Sequence, residues 1–172
     1  MMTMQRIEFL NYPASGQLPG LLWGIRIDGT DLRAYTADAT RDLWRQEHEE
    51  ESPAENELFL LHQHGGLSLR EVGDPVRHFL GDPAPEFADP PTGTTPVLGC
   101  SCGVWGCWPL LTIITATPET VIWSSFRQPF RKEWGELPMG PYAFDRPAYE
   151  AALAAPVRVT EDPLGSSSET MP

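Results

Sequence analysis

The sequence predicts an α+β fold, with an antiparallel sheet built from two β-hairpins and short helices on one side. Residues 21–28 alternate apolar and polar side chains, which is the period of a strand with one buried face. Residues 110–116 and 121–126 are rich in β-branched and aromatic residues, and the turn-forming sequence TPET lies between them. Residues 32–43 instead carry apolar side chains at helical spacing. Both kinds of element are therefore expected.

The first hairpin is predicted from residues 6–12 and 21–28, joined by a loop over 13–20 that is rich in proline and glycine. In the second of these strands, Trp23, Ile25 and Ile27 share one face. That face is expected to be buried.

A helix is predicted from Asp31 to about residue 49, with Thr30 or Asp31 as its N-cap. Glutamates crowd its end, where negative charge opposes the helix dipole, so residues 49–57 are predicted to form a mobile loop. Residues 58–61 form a short apolar run that suits either a helix or a strand.

Two very short helices are predicted next. Ser68 and Glu71 match a capping box, and Asp74 followed by Pro75 is a second helix start. Residues 82–96 contain five prolines and are predicted to be an extended surface connection.

The second hairpin covers residues 110–126, and the region from 127 to 141 is predicted to be irregular. Asp145 is a suitable N-cap for a last helix, which Pro156 would stop. Residues 160–172 hold little that could pack and are predicted to be a disordered tail. Residues 1–159 are therefore expected to form a single α+β domain.

The composition limits the classes of function. The formal net charge is −12, which disfavours binding to nucleic acid or to an anionic membrane and leaves a basic protein partner as a candidate. No apolar run approaches the length of a membrane span, and the first residues lack the plan of a signal peptide. A cytoplasmic location with reduced thiols is therefore predicted.

All three cysteines lie in one segment with the spacing C-x-C-x4-C: Cys100, Cys102 and Cys107. Glycines between them allow tight turns that could aim the thiols at one point. A structural zinc ion needs four ligands, and His62 or His64 on a nearby glycine-rich turn is the best fourth ligand in the sequence. Zinc is therefore the cofactor that the sequence suggests.

Three alternatives to zinc stay open. The cysteines suit packing as small reduced apolar side chains, and the histidines suit ordinary turn or core positions. A disulfide from Cys107 to Cys100 or Cys102 is a second alternative. A reactive thiol is the third, and it would need a neighbouring cation or imidazole to depress its pKa.

Trp105 and Trp108 flank Cys107 and form the predicted binding surface, as the aromatic wall of a pocket or as interface anchors. The competing interpretation is that they cover an edge of the core.

Three segments carry a resemblance: GCSCGVWGCWPL, then VIWSSFRQPFR, then GPYAFDRPAYEAAL. Together they resemble a family of uncharacterised bacterial proteins, over roughly the last third of the chain. The resemblance implies that this three-part layout recurs, and it implies no activity or catalytic residue.

The function predicted from the sequence is that of a non-catalytic cytoplasmic binding or interaction protein with a Cys-rich loop. The alternative is a thiol-based redox or thiol-transfer enzyme that uses one cysteine of the cluster. Rates of thiol alkylation against pH separate the two, because an activated thiolate forms below the usual pKa near 8.5.

Overall fold

The computed structural model describes residues 3–14, 20–47, 53–87 and 93–165, and it confirms the α+β class. The strands are β1 (Ile7–Pro13), β2 (Leu21–Ile27), β3 (Thr30–Asp31), β4 (His64–Gly65), β5 (Thr95–Cys100), β6 (Leu110–Ala116), β7 (Thr120–Arg127), β8 (Tyr142–Asp145) and β9 (Val157–Arg158). The helices are α1 (Leu32–Glu47), α2 (Glu57–Leu61), α3 (Leu69–Val72), α4 (Pro75–Phe79) and α5 (Arg146–Ala154). Short 3-10 turns occur at Pro53–Glu55, Trp105–Cys107 and Lys132–Trp134.

The two predicted hairpins are present, but they lie in two sheets and not in one. The first sheet has the order β3-β2-β1-β9, and the second has the order β4-β5-β6-β7-β8. The physical reason is that other strands already pair with the outer edges of both hairpins. Strands β3 and β9 pair with the first hairpin, and strands β5 and β8 pair with the second hairpin. Part of each outer edge is therefore already paired within the described residues, which leaves less edge on which the other hairpin could add.

The two sheets meet at a tight seam. The amide of Trp23 in β2 donates to the carbonyl of Leu67 at 2.8 Å, and the amide of Gly66 donates to the hydroxyl of Tyr12 at 2.8 Å. A Cβ atom on Gly66 would lie 2.3 Å from the carbonyl oxygen of Trp23. The seam therefore requires glycine at this position.

One large hydrophobic cluster contains residues of both sheets and of α5. Its centre is aromatic: Phe9 of β1 contacts Trp23, Phe79 and Tyr149 edge-on or tilted, and Trp123 of β7 is fully buried. The indole N–H of Trp123 donates to the hydroxyl of Tyr149, so the polar atom of this large side chain is satisfied. A smaller cluster lies apart from it and contains Ala37, Trp44, Ala54 and Leu60.

The short helices begin where the capping residues predict. Ser68 accepts from the amide of Glu71, Asp74 accepts from those of Val76 and Arg77, and Asp145 accepts from that of Ala148. The ambiguous run at 58–61 is helical, as part of α2, and Asn56 caps it. Among the helices of the described ranges, none has both the length and the apolar character that crossing a membrane requires.

Residues beyond the predicted domain boundary at residue 159 also contact the domain. Arg33, which is 3% exposed, pairs with Asp31 at 2.9 Å and with Asp162 at 2.8 Å. Residues 160–165 of the predicted tail are thus described, and residues 166–172 lie outside the described residues. The same holds for residues 15–19 and 88–92 of the two predicted connections and for 49–52 of the predicted mobile loop.

Candidate functional site

The cysteine loop connects β5 to β6, two adjacent antiparallel strands. Cys100 is the last residue of β5, and the amide of Gly103 donates to its carbonyl at 3.2 Å to close a turn. Gly103 has a φ of 96°, a conformation that residues with a Cβ rarely adopt. The loop is therefore held at both ends by the second sheet.

All three cysteines are free, and the sulfur atoms of Cys100 and Cys102 contact backbone groups of the loop. Cys102 and Cys107 are exposed, and Cys100 is partly buried. The sulfur of Cys102 accepts the amide of Val104 at 3.4 Å, and the sulfur of Cys100 accepts the amide of Cys102 at 3.5 Å. The geometric contacts therefore join Cys102 to Cys100 and to Val104, and convergence of all three thiols at one point stays a prediction.

These contacts make the three thiols unequal. The Val104 amide and then the Cys100 thiol lower the pKa of Cys102, because they donate to its thiolate. Burial above all raises the pKa of Cys100, and the hydrogen bond with Cys102 above all raises the pKa of Cys107. Cys102 is therefore the thiol that ionises first.

The predicted histidine ligands do not lie at one point with the thiols. Nδ1 of His64 is 2.9 Å from the carbonyl oxygen of Trp108 and 3.2 Å from that of Gly99. Because carbonyls only accept, Nδ1 carries the proton and ties β4 to both ends of the cysteine loop. His62 follows α2, and its Nε2 is buried without a hydrogen-bond partner among the described residues.

Within the described ranges, no group of three or more His, Cys, Asp or Glu side chains is placed to hold a metal ion. The zinc site expected from Cys100, Cys102 and Cys107 with His62 or His64 is therefore not assembled in this structure. Spacing alone did not reveal that His64 is already committed to backbone carbonyls.

The two predicted binding tryptophans have different surroundings. Trp105 is partly buried and packs on Phe87, with ring centroids 4.7 Å apart, at the edge of the large core cluster. Trp108 is partly buried and packs on Trp44 of α1 at 5.6 Å and on Trp134 at 6.2 Å. The two tryptophans do not form one exposed patch.

Trp108 lines a cavity of about 440 Å³ beside the cysteine loop. Helix α1 contributes Trp44 and the cysteine loop contributes Cys100 and Ser101. Helix α2 and the residues around it contribute the rest: Asn56, Leu58, Phe59, His62 and Gln63. This volume is within the range of small-molecule sites.

Gln63 fixes the aromatic wall of the cavity. Its Oε1 accepts the indole N–H of Trp44 at 3.3 Å and that of Trp108 at 3.2 Å. Its Nε2 donates to the hydroxyl of Thr40 and to the carbonyl of Leu60. Both indole N–H groups are used internally, so the two tryptophans offer a ligand only their ring surfaces.

Arg131 adds a cation to this wall. Its guanidinium carbon lies 5.1 Å from the ring centroid of Trp108, 5.4 Å from that of Trp44 and 5.8 Å from that of Trp134. Glu47 pairs with Arg131 at 2.8 Å and offsets its charge. The rings therefore already bind one cation of the protein itself.

Sequence reasoning did not identify Trp44, Phe59 or Gln63 as part of a site. These residues come from segments far apart in sequence, and no short motif joins them. The available signal was weak: Gln63 lies between two histidines at a glycine-rich turn, and Trp44 lies at the end of a charged helix.

Acidification should destabilise the fold through His64. Burial lowers the pKa of His64 to about 4, below the value of about 6.5 in an unfolded chain. The folded state favours the neutral ring of His64. The contribution of His64 to the free energy of unfolding is therefore present above pH 6.5 and is lost as the pH falls toward 4. Between pH 7 and pH 5 the loss should be about 2 kcal/mol, with a further loss from His78, whose pKa burial also lowers.

Urea unfolding curves at pH 7 and pH 5 measure this effect. His64→Gln replaces the ring with a group that does not titrate, so the variant should show a smaller difference between the two pH values. An equal pH dependence in the variant and the wild type would contradict the prediction.

Comparison of the chain with family models, with curated proteins and with solved structures gives no match. The resemblance to uncharacterised bacterial proteins therefore stays a prediction, and any function must be argued from the site itself.

Proposed function

We propose that this protein is a binding protein and that the cavity beside the cysteine loop receives an aromatic group that carries positive charge, supplied by a basic partner. The observation that carries the proposal is the composition of the wall. Two indole rings, the ring of Phe59 and the apolar side chain of Leu58 line about 440 Å³ of space next to exposed residues. Concave apolar sites with few polar groups are the usual form of ligand sites.

The preference for an aromatic group follows from the rings. Trp44 and Trp108 are tilted by 32° to each other with their N–H groups bound to Gln63. Phe59 lies edge-on to Trp44 at 5.4 Å and is 37% exposed. A flat ring would gain offset or edge-to-face contacts with these side chains.

The preference for positive charge follows from two observations. The chain has a net charge of −12, which attracts cations over long distances. The same tryptophan rings already hold the guanidinium of Arg131, whose charge Glu47 offsets at 2.8 Å, and aromatic faces attract cations in general. This proposal keeps nucleic acid and anionic membranes outside the set of partners, and it retains a cytoplasmic location, where the three free thiols would stay reduced.

Phenethylamine and phenylacetate test the proposal, because they share a ring and differ in charge. We expect saturable shifts of backbone amide signals around Ser101 and Gln63 in NMR titrations with phenethylamine. Phenylacetate should bind about fivefold more weakly, which corresponds to about 1 kcal/mol of cation–π and charge interaction.

Two phenylalanine variants locate the binding. Phe59→Ala removes a lining side chain and should weaken phenethylamine binding, whereas Phe130→Ala is the matched control. Phe130 is also exposed and stacks on Trp108, but it is not among the cavity-lining residues. Absence of saturable shifts, or equal weakening by both variants, would reject the cavity as the binding site.

A further inference from the structure

We propose that the cysteine loop is a thiol–disulfide exchange centre in which Cys102 attacks a small disulfide substrate and Cys107 completes the exchange by forming a Cys102–Cys107 disulfide. This activity goes beyond ligand binding in the cavity and does not depend on it. It develops the thiol chemistry that the sequence left as an alternative.

Cys102 has the surroundings of an attacking thiolate. Its side chain is exposed, so a substrate disulfide can reach it. Its sulfur accepts the Val104 amide at 3.4 Å and lies 3.8 Å from the Val104 carbonyl oxygen, and its own amide donates to the Cys100 sulfur at 3.5 Å. A backbone N–H that donates to a sulfur stabilises its anionic form, and the lowered pKa of Cys102 agrees with this.

Cys107 is the better resolving residue of the two neighbours. It is exposed, and its amide donates to the carbonyl of Val104 at 3.1 Å, the same residue whose amide donates to the Cys102 sulfur, so both cysteines are held around Val104. Four residues separate the pair, including Gly103 and Gly106, and a Cβ on Gly106 would meet no described atom within 4 Å apart from its two chain neighbours. The backbone there has room to adjust to the geometry of a disulfide.

Cys100 is less suited to the resolving step. It is partly buried and is paired with His64 in the β4–β5 ladder, so strand geometry holds its backbone. Only Ser101 separates it from Cys102. A disulfide over one intervening residue would need strained angles, whereas the present Cys100 sulfur accepts the Cys102 amide.

The exchange balances in two steps. The Cys102 thiolate attacks one sulfur of the substrate disulfide, forms a mixed disulfide and releases the other half as a thiolate. Cys107 then loses its proton to solvent and attacks the Cys102 sulfur, which releases the second half as a thiolate. The substrate is reduced to two thiols, and the loop is oxidised to one disulfide.

The test uses the full, reduced chain with oxidised glutathione as the disulfide, followed by mass spectrometry and peptide mapping. The wild type should end with a Cys102–Cys107 disulfide and no retained glutathione. Cys107→Ser should retain one glutathione on Cys102. Cys102→Ser should react at least about tenfold more slowly, because the most ionised thiol is lost.

Further variants make the assignment falsifiable. Val104→Ala keeps the backbone amide and changes only a side chain that is 60% exposed, so it should react like the wild type. Cys100→Ser should still form the Cys102–Cys107 disulfide. The proposal is overturned if Cys100→Ser blocks disulfide formation while Cys107→Ser does not. Random glutathione addition at all three thiols, or one tightly bound zinc per chain that suppresses the reaction, would also overturn it.

Discussion

Replacing Arg33 with methionine should lower the free energy of unfolding by about 3–5 kcal/mol, the usual effect of removing one partner from a buried ion pair. Arg33 and Asp31 are 3% and 7% exposed, and the guanidinium also binds both oxygens of Asp162. Methionine retains much of the apolar stem, so the loss reports the charge that Asp31 would leave unpaired together with the contact of the guanidinium with the ring of Tyr12.

Urea unfolding monitored by tryptophan fluorescence measures this loss. Arg77→Met is the matched control, because the Arg77–Asp82 pair is 64% and 71% exposed and should contribute less than about 1 kcal/mol. If Arg33→Met lowers the free energy of unfolding no more than Arg77→Met does, the buried ion pairs of Arg33 do not stabilise the fold as argued.

Replacing Gly66 with alanine should lower the free energy of unfolding by about 3 kcal/mol, which is at the upper end for adding one methyl group to a packed interior. The added Cβ would lie 2.3 Å from the Trp23 carbonyl and 2.9 Å from the Tyr12 hydroxyl. The first of these atoms belongs to the backbone of β2 and cannot rotate away. The two sheets would have to separate at their seam.

Gly106→Ala is the control for this substitution, since its Cβ would have no neighbour within 4 Å. It should change the free energy of unfolding by less than about 0.5 kcal/mol. Hydrogen exchange at the Trp23 amide gives a second measurement, because this amide donates to Leu67 across the seam. Unchanged protection in Gly66→Ala would argue against the close approach of the two segments.

The local signals in the sequence predicted the elements that depend on local physics. Asp74 and Asp145 cap helices where their position before a proline or an amphipathic run indicated. The alternation in residues 21–28 corresponds to β2, whose Trp23, Ile25 and Ile27 are buried. Capping and periodicity involve neighbours within a few residues, so they are visible in one sequence.

Strand β5 shows why part of the fold was not predictable. Pro96 and Gly99 both disfavour strands, and the segment follows a proline-rich connection. It is a strand because it pairs with β4 on one side and β6 on the other, with an irregular register between Pro96 and Leu98. Pairing over such distances in sequence overrides local preference.

The candidate site likewise has a part that the sequence predicted and a part that it did not. The C-x-C-x4-C spacing with its glycines indicated that one short loop carries all three thiols, and this loop lies between β5 and β6. The commitment of His64 to two carbonyls and the joining of Trp44 and Trp108 through Gln63 depend on tertiary packing. No spacing in the sequence encodes these contacts.

The Gln63 side chain has a consequence for the energetics of recognition. Its amide holds two indoles, a threonine hydroxyl and a backbone carbonyl at once, so the aromatic wall has its bound shape before any ligand arrives. A guest would then lose its own freedom while the host loses little, which favours tight association for a small contact area. Free and occupied forms should accordingly superimpose closely around this amide.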